Sequence, residues 1–145
     1  QLAVGAQFRE TRRLVGEYVL TKEDVVEGRK HEDVIAKGAY PVDIHDPVGS
    51  RSTWIELRDS YDIPFRCLRP REARHLIVSG RLASSVHEAY ASLRVTPTPF
   101  ATGQAAGVAA ALAAREGRDV GDVVVEQLQD ELLRQGAILR LPDPS

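Results

Sequence analysis

The chain has 145 residues, enough for one ordinary domain, and its apolar share of 43 % is that of a globular protein. A net charge of −2 leaves no basic excess for a nucleic-acid surface, and the longest apolar run, 105–114, is half a bilayer span. One cysteine, Cys67, excludes an internal disulfide, and no signal peptide opens the chain, so a cytoplasmic protein off the membrane is expected.

Residues 9–20, RETRRLVGEYVL, end in a β-prone run that predicts a strand or strand pair. Thr21 then caps a short helix, with Asp24 completing a capping box. HEDVIAKG (31–38) reads as a helical turn or two stopped by Gly38, and Lys22, Lys30 and Lys37 as a solvated face. Pro41 and Pro47 bracket a loop that carries Asp43, His45 and Asp46. STWIELRD alternates like a half-buried strand, with Trp54 expected in the core. YDIPFRCL is a second extended run, which Pro64 confines to an edge or bulge.

HLIVSGR (75–81) reads as a short buried strand and SSVHEAYASL as a short helix. Thr98 is placed to cap a long Gly/Ala-rich helix with Pro99 in its first turn. Small residues there, with Gly103 and Gly107 four apart, admit close approach of a neighbouring backbone or of an anion at the helix N-terminus. The helix stops at Gly117. An amphipathic helix follows, with Val124, Leu128 and Leu132 on one stripe and Gly136 at its end. The order predicts an α/β or α+β mixture. Charge is unevenly spread: Arg66, Arg69, Arg71, Arg74, Arg81 and Arg94 form a basic run, either a solvated face or an anion site, and 116–131 is acidic.

Gly80-Arg81, Ser84, His87-Glu88-Ala89, Ser92-Leu93-Arg94-Val95, Pro97-Thr98 and the block Gly103–Ala110 follow one another at family-like spacing. With 9–25, 39–47 and 61–70, this pattern resembles the C-terminal part of FAD-dependent oxidoreductases whose flavin domain is of the glutathione-reductase type. The resemblance runs from about residue 9 to 139. It implies the end of a Rossmann-like FAD-binding domain plus a piece of a substrate or cap domain. The divisions would be cap at 1–60, flavin-domain return at 61–117, and terminal helix and tail at 118–145. The family's Gly-x-Gly-x-x-Gly turn does not occur in the chain, so a fragment that holds FAD poorly by itself is expected. Leu82-Ala83 and Pro99-Phe100 stand where Cys-containing pairs are expected, so no thiol is assigned to the flavin.

By this resemblance Gly80, Arg81, Ser84, Thr98, Ala101, Thr102 and Gly103 hold the cofactor, the helix N-terminus facing the ring edge that gains charge on reduction. His45 and His87 are acid–base candidates and Arg94 a third catalytic residue; Arg12, Arg13 and Asp43 face a small-molecule substrate. A metal-dependent hydrolase or lyase using Asp43, His45, Asp46 and His87, and a non-catalytic interaction module, are the competing readings. Self-association, or pairing with a missing N-terminal part, is expected through exposed strand edges.

Overall fold

The computed structural model describes residue 10 and residues 12–45 and 52–141. Its elements are α1 (Lys22–Val26), β1 (Val34–Gly38), β2 (Val42–His45), β3 (Ser52–Ile55), β4 (Tyr61–Pro64), α2 (His87–Leu93), α3 (Pro97–Glu116) and α4 (Val125–Arg134). Three single 3-10 turns join them, Phe65–Cys67, Gly80–Leu82 and Val120–Asp122. The fold is a mixed α+β one with two small antiparallel sheets, β1–β4 and β2–β3. Asp46 lies outside the described residues.

The local signals at the start of α1 and the end of α3 hold. Thr21 Oγ1 accepts the Asp24 N–H while Asp24 returns to the Thr21 N–H, so α1 starts where the capping box puts it. Gly117 closes α3 in the left-handed conformation (φ 63°), which a side chain would disfavour. Leu128 and Leu132 of α4 are fully buried, as their stripe requires, but Val124, its expected first member, precedes the helix and is 40 % exposed.

Strand pairing overrides local pattern elsewhere. Residues 34–38 form β1, not a helix, because Val34 and Ile35 are β-branched and the segment pairs with β4, Gly38 lying opposite Tyr61. Lys37, expected in solvent, is instead nearly buried and bonds Asp62 across the pair at 2.5 Å. The predicted loop after Pro41 contains β2, which zips to β3 from Val42↔Ile55 to His45↔Ser52. Residues 12–20 make no strand; Gly16 and Leu20 form only isolated bridges, to Pro70 and Ser85. Residues 75–79 pair with no strand among the described residues, and Leu76 remains half-exposed. Trp54 is 52 % exposed, not core, because among the described residues β3 is open to solvent on that face, with Ser52 and Thr53 exposed as well.

The helix α3 begins at Pro97 with Thr96 as its cap, so Thr98 is inside the first turn and does not cap. Among the described residues Gly103 and Gly107 approach no neighbouring element: a Cβ on either would meet nothing within 4 Å outside its own helix. The core lies between α3, β1, β4 and α4, built on Tyr61, Phe65, Ile35, Ile63, Leu68, Leu93, Leu128 and Leu132. α2 packs beside β2, which is what assembles the site.

Candidate functional site

Helix α2 places His87, Tyr90, Ala91 and Arg94 at i, i+3, i+4 and i+7, one face of a helix. Strand β2 places Asp43 and His45 two apart, on one face of a strand. Packed together, these two faces and Glu10 enclose a depression of about 80 Å³, with Ile44 completing its wall.

Two histidine–carboxylate pairs flank it. His87 Nδ1 lies 2.6 Å from Glu10 Oε2, and Glu10 uses its other oxygen for Arg13. His45 Nε2 lies 2.9 Å from Asp43 Oδ2. Each ionised carboxylate only accepts, so the facing ring nitrogen donates, leaving Nε2 of His87 and Nδ1 of His45 as the basic atoms of the neutral rings. Arg94 donates to the Asp43 carbonyl at 3.1 Å and stands 3.6 Å from its carboxylate. The Arg13 guanidinium sits 5.2 Å from the centre of the Tyr90 ring. Burial raises the Tyr90 phenol pKa; Arg81, Arg94 and Arg13 pull it down and Glu10 pushes it up.

Of the expected catalytic and substrate residues, His45, His87, Arg94 and Asp43 meet here. Arg13 stands behind Glu10, and Arg12 is exposed and does not line the depression. Sequence reasoning missed Glu10 and Tyr90. Tyr90 was legible as the i+3 neighbour of His87; Glu10 carried no signal, because its meeting with His87 is a long-range contact.

The expected cofactor residues form a second group, none of which lines the depression. Gly80, at φ 60°, donates its N–H to Thr102 Oγ1 at 3.0 Å, and that hydroxyl donates on to the Thr98 carbonyl. Ser84 Oγ accepts the Gly16 N–H at 3.0 Å. Ala101 lines a different groove of about 450 Å³, between β1, α3 and residues 136–141. Arg81 is exposed, engages no carboxylate among the described residues, and acts on Tyr90, so it stands between the two groups. The rest of the basic run is largely paired: Arg66 with Asp33, Arg69 with Glu17, Arg74 with Asp122 and Arg94 with Asp43.

The family of FAD dependent oxidoreductases matches residues 1–132. The chain belongs to this family. No curated protein and no solved structure matches it. Among the described residues, which do not include Asp46, no three His, Cys, Asp or Glu side chains gather to hold a metal.

Membership implies FAD in family members, and the chain's own residues can be tested against it. FAD is a flat ring system with a pyrophosphate tail. The bare backbone at Gly103, where even a Cβ meets nothing, fits close contact with a flat group. Phe100, one turn before Gly103 on α3, and Leu82, in the 3-10 turn that packs against α3, are exposed and fit its apolar face, and Arg81 fits a phosphate. The helix N-terminus fits less well than its sequence implies: Pro97 and Pro99 have no N–H, Thr98 N–H bonds Val95 O, and Phe100 N–H bonds Thr96 O. The residues therefore fit the group through Gly103, Phe100, Leu82 and Arg81, while Ser84 and Thr102 use their hydroxyls to hold the fold.

Proposed function

We propose that this chain forms the substrate-facing and ring-facing part of an FAD-dependent oxidoreductase that removes a hydride and a proton from an organic substrate. The single observation that carries the reading is the convergence of His87, His45, Asp43 and Arg94 on one depression in a chain of this family. When bound, FAD supplies the two-electron acceptor.

The protein's part is proton handling and orientation. His87 Nε2 takes the substrate proton; Glu10 fixes the tautomer and stabilises the imidazolium that forms. Arg94 holds Asp43, and through it His45, so the second histidine is aimed at the same depression. Arg13 balances the Glu10 charge, and Arg81 and Gly103 hold the cofactor. The flavin domain is of the glutathione-reductase type, and this chain supplies its C-terminal portion; the nucleotide half of FAD is held by a Gly-x-Gly-x-x-Gly unit outside these residues. The isolated chain is inactive, and it pairs with that unit or with a second copy of itself.

Flavin mononucleotide, which carries the ring and one phosphate, tests the reading. Titrated into the purified chain, it should show saturable fluorescence quenching. Gly103→Leu should abolish the quenching without lowering the melting temperature, because the new side chain enters open space and leucine is the better helix former inside α3. Absent quenching, or quenching unchanged by Gly103→Leu, overturns the proposal.

A further inference from the structure

Trp54 keeps half of its surface in water, yet its ring is held. The indole N–H donates to Glu56 Oε1 at 2.5 Å. The Tyr40 ring meets it nearly perpendicular, at 73° with centroids 5.9 Å apart. An exposed indole fixed on two sides is preorganised apolar area facing solvent, the feature by which aromatic residues serve binding surfaces.

The register of β2 and β3 says what stands beside it. Trp54 lies directly opposite Asp43, and residues opposite each other in an antiparallel pair project from the same face. His45, two residues from Asp43, shares that face and bonds it. Arg94 approaches Asp43 from α2. One surface therefore runs from the indole across Asp43 to Arg94 and the histidines.

Its charge selects the ligand. In the depression the Asp43 carboxylate is balanced by Arg94 and Glu10 by Arg13, and beside the indole Glu56 accepts the ring N–H and presents further acceptor capacity to hydroxyl groups. What remains is a flat apolar face bordered by hydrogen-bond acceptors and donors. The complement is a neutral ring with an apolar C–H face and hydroxyl groups around its rim. We propose that Trp54 is the stacking platform of a subsite for a pyranose sugar, whose hydroxyls bond Asp43 and Arg94. The sugar's role as substrate rests on the oxidoreductase reading; its binding does not.

Trp54 is the chain's one tryptophan beside four tyrosines, so selectively excited tryptophan fluorescence reports on this ring alone. Methyl pyranosides of glucose, galactose and xylose are titrated into the chain, with tetramethylammonium chloride and flavin mononucleotide in parallel. A saturable change with at least one pyranoside is expected, at millimolar affinity. Saturation-transfer NMR should show binding retained within about threefold in Trp54→Phe and weakened tenfold or more in Trp54→Ala, both with unchanged melting curves. No saturable response to any pyranoside, a response to tetramethylammonium or the flavin alone, or full binding by Trp54→Ala overturns the proposal. Pyranoside binding together with failure of the Gly103→Leu flavin test would remove the oxidoreductase reading and leave the subsite standing.

Discussion

Replacing Gly38 by alanine tests how the candidate site is anchored to the core. Gly38 lies opposite Tyr61 in the β1–β4 pair, and the tyrosine ring fills the space a side chain would occupy. A Cβ at Gly38 would sit 2.2 Å from Tyr61 Cζ and 2.6 Å from Cε1, against about 3.5–4.0 Å for an ordinary carbon contact. The ring would have to move by roughly 1.5 Å, and it is fully buried. Its hydroxyl is also tied to Ser92 Oγ at 2.9 Å, and Ser92 donates to the Tyr40 carbonyl, just ahead of β2. Overpacking of this kind costs about 3 kcal/mol, and with the strained hydrogen bond somewhat more. For a chain of this size that corresponds to a fall of roughly 10 °C in melting temperature. The assay is thermal and urea unfolding of Gly38→Ala, Tyr61→Leu and the double variant. Once Tyr61 lacks its distal ring atoms, the alanine should add little, giving a coupling of about 2 kcal/mol or more. Melting of Gly38→Ala within 2 °C of the parent, or additivity of the two changes, would refute this account of the packing.

Burial pushes the Cys67 thiol from 9.0 to about 12 and the Tyr61 phenol from 10.0 to about 12. Both groups stay neutral in the fold while the unfolded chain ionises, so stability is full below pH 9 and falls above it by about 1.4 kcal/mol per pH unit per group, Cys67 acting first; urea unfolding between pH 8 and 11 measures the slope, which Cys67→Ala should lessen. For the same reason Cys67 should resist a thiol reagent at pH 8 until the chain unfolds. Asp33 has the opposite sign: burial opposes its ionisation, but the two guanidinium bonds at 2.9 and 3.0 Å and the Arg66 N–H hold its carboxyl below the usual range. The stability it adds is present above the ordinary carboxyl value and disappears as pH falls through the lowered one. Arg66→Ala should cost about 1 kcal/mol at pH 7, where Arg66 is partly exposed, and flatten that acid limb. Glu10→Ala, which removes the acceptor, should release the Nδ1–H tautomer of His87, read as a change in its ring ¹⁵N shifts, with His45 unaffected; unchanged His87 shifts would remove Glu10 as its positioning residue.

Much of the site was written locally. The spacing of His87, Tyr90, Ala91 and Arg94 marks one helical face whatever surrounds it, and Asp43 and His45 share a strand face by their separation of two. What that spacing leaves open is which faces meet. Asp43 and His45 were assigned to a loop, and only the pairing of β2 with β3 and the packing of α2 beside it turned them toward His87. The cofactor group shows the reverse: Thr98, Thr102 and Ser84 have the right residue types, and the folded chain takes up the Thr102 and Ser84 hydroxyls in bonds to its own backbone.

By itself the sequence determined the elements whose causes lie within a turn or two: the Thr21–Asp24 box, the Gly117 stop, the Leu128–Leu132 stripe of α4 and the face of α2, together with the motifs of the family. Tertiary structure alone decided that residues 34–38 are a strand, that Trp54 stands in solvent, and that Glu10 meets His87. The reason is distance along the chain. Caps and helical stripes are satisfied by near neighbours, whereas a strand gains its hydrogen bonds, and a surface its cover, only from partners that folding brings in from far away.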